Sequence, residues 1–515
     1  MTRLQEQVAF IRLEPLTPVH IGAGETLDPL SYVMREEDGI PYLYPVDVAA
    51  WVEAQGNPAE LATLFGTKSL TEIRAYLAKE LTPVLDIYGG APSQVYSREI
   101  FKKYSDELRP QGSPNQLLIS PAQKNPVTGG LVIPGSSIKG AIRTAVIDWL
   151  DQNWGLGLKD ATNRDRRGYE SALELALGKI SDNAFRDLKV GDFPAGLGES
   201  FIITAKEVRR VDNPLKTGTP KNDCEVTLSR SMTGQSYALY GKVALGSHGG
   251  GKRDTVLTVS QGNRKQSWDL LGLMDLCNKF YGIRYLKERT KFYTAAHLSA
   301  TAEALKSVEE SLLHPTANAM ILRLGHYSHV ECMTVTDNQP KTRPVPRGEG
   351  QMPHGTTRTL ADGKYPFGWA RLSVISAEEY AQACARREEA DARFLQGRSA
   401  KRQAVSNTRE AEERQRQERV RQEQERREAE EQARAAMEKM SPEERLIHAL
   451  EIGTASENLV VELFNKLDSL PDELKARAAT AVKGFWVKTG KWDKKKCTDK
   501  QWAKVQKVKS LMGER

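Results

Sequence analysis

The sequence predicts an α+β globular part, followed by a long charged helix and a small helical domain. Three observations carry this. Short β-forming runs bounded by proline and glycine recur between residues 7 and 375, and amphipathic stretches interrupt them. Composition changes abruptly at Ser376: Glu, Arg, Gln and Ala then dominate, with no Gly or Pro from Thr408 to Met440. From Ser441 onward, capping signals precede several short amphipathic stretches: Ser441-Pro442-Glu443-Glu444 is a capping box with proline at N1, and Thr498 caps a later helix with Gln501 at N3.

A chain of 515 residues exceeds one ordinary core, so roughly two to four domains are expected. The net charge of +7 and pI near 8.9 are compatible with a nucleic-acid partner. The five cysteines form no CxxC pair, which argues against a disulfide framework or a zinc site. No apolar run reaches about 18 residues, and MTRLQEQVAF lacks the features of a signal peptide. The expectation is a soluble cytoplasmic protein without a membrane partner.

Taken in order, QVAFIRLEPL (7–16) reads as a strand closed by Pro15. TPVHIGAGE (17–25) follows as a loop in which Gly22 and Gly24 let the backbone turn sharply or approach a ligand, with His20 just before them. Residues 40–52 give a strand and a helix start. Residues 57–81 read as helical, since Asn57-Pro58-Ala59-Glu60 supplies a cap, a proline at N1 and a glutamate at N3. The stretch of about 55–130 reads as an insertion.

Residues 131–150, LVIPGSSIKGAIRTAVIDWL, are the central stretch. Ile138, Ala141, Ile142, Ala145, Val146, Trp149 and Leu150 make one apolar stripe at helical period. Ser136 or Ser137 is the expected cap. Lys139 and Arg143 lie off the stripe on one side. Free N–H groups, the dipole's positive end and two cations together suit a phosphate; a capped core helix with two surface charges has the same sequence.

Residues 199–211 read as a strand ending in two arginines, and strands are expected within 225–232, 235–246 and from 254. Gly249-Gly250-Gly251 with Lys252 and Arg253 is a hairpin tip reaching a phosphate backbone or a plain surface loop. Residues 267–310 read as helical. Their mixture of Lys279, Phe280, Tyr281, Arg284, Tyr285, Phe292 and Tyr293 suits single-stranded RNA, and equally a buried aromatic stripe. AMILRLGHYSHV (319–330) reads as an apolar strand ending at Arg323, Leu324 and Gly325, with a loop holding His326, Tyr327 and His329. No metal site is expected, because partners at ligand spacing are not evident. A cation-rich loop at 338–368, including Arg358, leads into strands at 356–360 and 365–375.

Ser376-Ala377-Glu378-Glu379 is a capping box. Glu410–Arg414 and Glu423–Arg427 are i,i+4 pairs in a stretch without apolar heptads, so 377–440 reads as a solvated helical spacer. Residues 441–515 read as a lysine-rich helical domain, with ten lysines between 483 and 509 around Phe485, Trp486, Trp492 and Trp502.

PLTPVHIGAGE, IPGSSIKGAIRTA, and ILRLGHYSHV followed by PFGWARL occur in the order seen in one family. Together they resemble the RAMP superfamily of CRISPR proteins, and within it the end-capping subunit of type III-A Csm effector complexes. DNAFRDLKVGDF (182–193) is similar to a further conserved region of that family. The resemblance covers roughly 5–376. It implies two ferredoxin-like (RRM-related) RAMP domains with helical insertions, divided as 1–215 and 216–376. It implies binding to CRISPR RNA near its 3′ end and to target RNA. The implied protein partners are a neighbouring RAMP backbone subunit, the small helical Csm subunit and host nucleases that mature the RNA. No cofactor is implied. The RNA contacts it implies are His20, Gly22 and Gly24, then Ser136, Ser137, Lys139 and Arg143, then Arg323, Gly325 and His326; Lys252 and Arg253 join them from the glycine run. Tyr327 and His329 depart from a late loop of small residues.

Three functions follow. One is a non-catalytic RNA-binding scaffold, working by phosphate neutralisation and close backbone approach. The second is an endoribonuclease using His20 or His326, with Tyr327 and Lys139. The third is a target-RNA-cleaving backbone subunit, for which Asp28 and Asp38 are the nearest loop carboxylates. The first is the expectation.

Overall fold

The computed structural model describes residues 7–54, 58–108, 117–158, 166–179, 182–209, 216–246, 255–293, 299–336 and 357–514. The chain divides into two compact units at Ser406/Asn407.

In the first unit, alternating residues of the opening strand, Gln7–Pro15, are buried: Ala9, Ile11 and Leu13. Such a strand needs partners on both edges, and it has them. Leu13 stands opposite Leu239 of strand Leu239–Leu245 on one side and Leu372 of strand Trp369–Ile375 on the other. Strand Leu188–Val190 extends one edge and Ala319–Arg323 the other, every pairing being antiparallel. The chain thus runs strand 7–15, helix Gly135–Trp154, strands 188–190 and 239–245, helix Leu270–Phe292, and closing strand 369–375. The first strand ends between the third and the last. The two helices pack against each other and against strand 319–323. The predicted stripe lies in this core: Ile138, Ile142, Ala145, Val146 and Leu150 are buried, with Ala141 and Trp149 packed against them.

A second sheet runs in the order Tyr365–Pro366, Thr357–Ala361, Ser200–Arg209, Ser93–Val95, Ile40–Pro45 and Tyr32–Glu37. Lys216–Thr227 pairs along Ser200–Arg209, and Ile119–Ser120 pairs with Lys216–Thr227. Strands from both sides of the expected 215/216 boundary therefore share each sheet. That boundary falls between two strands that pair directly. The expected insertion is likewise drawn in, because Ser93–Val95 pairs with strands 40–45 and 200–209. Its capping box is at Ser69–Glu72, opening helix Leu70–Leu81; Asn57 lies outside the described residues.

Helix Ala377–Lys439 is continuous over 63 residues, with the Glu379 N–H donating to Ser376 Oγ at 3.1 Å. Its first part departs from the expected solvated spacer. Tyr380 packs on Phe10 at 4.9 Å between ring centroids. Buried Asp391 accepts the Leu197 N–H at 2.9 Å, and Arg398 and Arg402 donate to the carbonyls of Gly89 and Ile87. Ala383 and Asp391 supply a short contact face that charge pattern alone conceals.

In the second unit, helices Pro442–Glu451, Glu457–Lys466, Asp472–Lys488 and Asp499–Leu511 enclose a core that includes Ile447, Leu463, Val482, Trp486 and Val505. Phe485, Trp492 and Trp502 pack at its margin. Ser441 with Glu444 forms the predicted capping box, and Thr498 caps through the Gln501 N–H.

Candidate nucleic-acid interface

The first and last motifs meet at one end of the five-stranded sheet. The N–H groups of Leu16 and Thr17 both donate to Trp369 O, and Gly368 N–H donates to Pro18 O at 2.8 Å. Leu324 N–H donates to Gly368 O at 2.8 Å, and His326 N–H to His20 O at 2.9 Å. Two glycines are required by this interlock. Gly325 has φ +88°, and a Cβ there would lie 2.3 Å from His20 O. Gly368 has φ +94°, and a Cβ there would lie 2.4 Å from Leu324 O. L side chains avoid this region of φ, so both the conformation and the space select glycine.

The first loop leaves Gly22, Ala23 and Gly24 exposed, with Gly24 at φ +81°. It is held from below. Gln123 N–H donates to Ile21 O at 2.7 Å, Ala23 N–H to Pro121 O at 3.1 Å, and Val132 N–H to Gln123 O at 2.8 Å. This ladder leads from the first loop to the start of helix 135–154. Glu225, 2 % exposed, anchors it by accepting from Ala122 N–H at 3.2 Å, Ser200 Oγ at 2.8 Å and Lys124 Nζ at 2.8 Å. Sequence reasoning missed Glu225. The available signal is a carboxylate within the strand run Cys224-Glu225-Val226, whose neighbours are fully buried.

His20 does not face outward as expected. It is buried, and its Nδ1–H donates to Glu225 O at 2.7 Å. Burial lowers its pKa, against the Glu225 carbonyl bond that raises it, so the ring is neutral. His326 is exposed, 6.4 Å from His20 between ring centroids. Tyr327 is buried against Phe367, its hydroxyl donates to Asn222 Oδ1, and burial raises its pKa to about 12.

The central helix differs at its start. Neither Ser136 nor Ser137 caps it: the helix opens at Gly135 behind Pro134, with no side-chain cap bond from the N-cap. Gly135 N–H donates instead to Asp192 Oδ1 at 2.8 Å. A carboxylate from the 182–193 motif thus already meets the helix's positive end, where a phosphate was expected. A Cβ on Gly135 would lie 2.1 Å from Val190 O, so this glycine permits helix and strand to touch. Ser136 is exposed and Ser137, Lys139 and Arg143 are half-buried. Lys139 has no carboxylate partner among the described residues, and partial burial lowers its pKa.

Arg323 is also corrected. Its guanidinium is buried, paired with Glu288, and lies over Trp369 at 5.1 Å. Arg358 approaches Glu288 at 3.3 Å and Glu331 at 2.8 Å, and lies over Phe292 at 4.0 Å. Burial acts to raise the Glu288 carboxyl, but the Arg323 and Arg358 charges prevail and hold it at about 2. His329 turns inward at φ +61°; burial, with the charges of Arg323 and Arg358, lowers it to about 2. This cluster belongs to the core. So do Phe280, Tyr281, Tyr285, Phe292 and Tyr293, which therefore offer no stacking faces to RNA.

No group of three potential metal ligands occurs among the described residues. Lys252 and Arg253 lie outside them. Asp28 faces Arg74 at 3.8 Å and accepts the Leu30 N–H, and Asp38 is a hairpin-turn residue at φ +49°. No helix among the described residues is long and apolar enough to cross a membrane.

Glycine-built loops interlocked at the end of an antiparallel sheet, with two helices in its core, define an α+β protein whose motif-bearing backbone reaches the surface. The RAMP superfamily model matches residues 12–270, and the chain belongs to that family. Among solved structures, it is similar to a chain of a type III-A Csm-crRNA-target RNA ternary complex determined by cryo-EM (18% identity, 71% of this chain and 100% of that one, TM-score 0.48). It is also similar to the crystal structure of T. onnurineus Csm5 (18% identity, 71% and 100% covered, TM-score 0.38). No curated protein matches the chain.

Proposed function

We propose that this chain is a non-catalytic CRISPR RNA-binding subunit. It caps the 3′-end side of a type III-A (Csm) effector complex in the cytoplasm and assists RNA 3′-end maturation. The RAMP family and the order of the four motifs support this reading. The observation that carries the RNA-binding part is the interlock of the first and late glycine loops, which leaves Gly22, Gly24 and His326 exposed. Lys139, half-buried and without a carboxylate partner among the described residues, supplies a cation from the central motif. Exposed backbone and lysine suit reading of RNA by shape and charge rather than by base.

The partners in this reading are CRISPR RNA, target RNA, the adjoining RAMP backbone subunit and the small helical subunit. Recruited nucleases then perform the trimming. The order 369–375, 7–15, 239–245, 188–190 is that of a ferredoxin-like βαββαβ unit, which supports a RAMP domain assembled from both ends of the first unit. The non-catalytic reading is supported by the placement of two candidate groups. His20 is buried with its Nδ1–H on the Glu225 carbonyl, and Tyr327 is buried against Phe367 with its hydroxyl on Asn222 and its pKa raised to about 12.

The test uses purified protein with labelled CRISPR RNA and target RNA, with and without divalent metal. Lys139→Ala is expected to weaken binding and lower the salt slope by about one unit. No RNA is expected to be cut. Metal-independent cleavage abolished by His326→Ala would replace the scaffold reading with the endoribonuclease one.

A further inference from the structure

The second unit carries a charge separation that the proposed interface does not use. Residues 441–473 hold eight carboxylates and two cations, whereas 474–514 hold twelve cations and three carboxylates. All ten cations from 483 to 509 are lysines. Three of them are neutralised within the unit: Lys483 by Glu514, Lys491 by Glu457 and Lys507 by Asp468. The other seven have no carboxylate partner among the described residues. Four of these, Lys494, Lys495, Lys496 and Lys500, are exposed and fall within seven residues. The backbone that displays them is ordered. Asp493 caps the turn through the Lys495 N–H at 3.0 Å, and Thr498 caps the next helix through the Gln501 N–H at 3.3 Å.

We infer that the Lys494–Lys500 turn is a second nucleic-acid surface that grips the phosphate backbone without reading sequence. This goes beyond the proposed RNA-binding face, which lies in the first unit. Exposed lysines of like charge this close repel one another, and a polyanion relieves that repulsion while releasing its own counterions. The exclusive use of lysine favours phosphate over a protein face. Lysine is a compact, hydrated point charge depleted from protein interfaces, where arginine is preferred. A membrane surface is disfavoured, because insertion needs bulky apolar residues beside the cations. The exposed large apolar side chains of the four-helix region are Ile452, Val461, Val487 and Leu511, none within the turn.

The experiment compares full-length protein with Lys494→Gln/Lys495→Gln/Lys496→Gln/Lys500→Gln. Binding of mixed-sequence single-stranded RNA is titrated over a range of salt, and a photoreactive RNA maps contacted peptides. Loss of four contacts is expected to lower the salt slope by about 3 and the affinity at physiological salt about tenfold or more. Crosslinks to 483–509 should appear in the parent, persist in Lys139→Ala and vanish in the quadruple variant. An unchanged melting curve for the quadruple variant shows that the fold is kept, since none of the four side chains is ion-paired among the described residues. Crosslinks absent from 483–509 together with an unchanged slope would overturn the inference. Binding of poly-L-glutamate, lost in the variant, with no RNA crosslinks in 483–509 would overturn it in favour of an acidic protein partner. Persistence of the crosslinks in Lys139→Ala separates this surface from the first-unit site.

Discussion

The backbone N–H of His326 donates to the carbonyl oxygen of His20, and Gly325 lies against that same oxygen. This bond ties the first loop of the chain to a loop from the far end of the first unit. Gly325→Ala introduces a Cβ 2.3 Å from His20 O at a φ of +88°. It is expected to cost about 3 kcal/mol, read as a lower urea midpoint, and to weaken RNA binding as the loops separate. Gly22→Ala meets the His20 ring at 3.3 Å and the Gly24 N at 4.0 Å, and should cost less than about 1 kcal/mol. Equal stability of the two variants would remove the interlock from its structural role.

Arg323 is expected to matter for stability rather than for RNA. Arg323→Ala leaves Glu288 buried with Arg358 as its remaining close cation, and should cost about 3–5 kcal/mol in urea unfolding. The RNA salt slope, measured where the variant is folded, should not change. A slope reduced by about one unit at unchanged stability would return Arg323 to the RNA-binding set.

Acid should destabilise the first unit through the same cluster. His329 faces Arg323, Arg358, Glu288 and Lys221, and its pKa falls from 6.5 to about 2 on folding. Below 6.5 the unfolded chain binds the proton that the folded one refuses. The His329 contribution is therefore full above pH 6.5 and is lost as pH falls towards 2. Glu288, lowered from 4.5 to about 2, adds a loss of the same sign below pH 4.5. His329→Asn, which removes the titrating ring, should flatten the decline between pH 6.5 and 5. Unfolding midpoints across that range test this; an identical decline in the variant would refute it.

The docked part of the charged helix should behave differently from its exposed part. Asp391→Ala removes the acceptor for the Leu197 N–H and should cost about 1.5–3 kcal/mol. A chain ending at Ser376 should melt below one ending at Ser406, because residues 377–402 hold Tyr380, Asp391, Arg398 and Arg402 against the first unit. Equal melting temperatures would mean that this contact face adds nothing.

The sequence by itself determined the elements: the opening strand, the central helix with its stripe, the strand before the late loop, the helix after Ser376 and the caps at Ser441 and Thr498. These follow from periodicity and capping, which act between residues a few positions apart. It also marked the loops that meet, through their glycines. Only the tertiary structure decided which strands pair. Residues 7–15 lie between 239–245 and 369–375, and no local pattern names a partner that distant. Only it decided the direction of charged side chains. Arg323 and His20 read as surface contacts, yet Glu288 and the Glu225 carbonyl draw them inward. Asp192 takes the helix end that suggested a phosphate site. Whether a charge faces water or a buried partner depends on what the fold brings beside it, and that partner lies far along the chain.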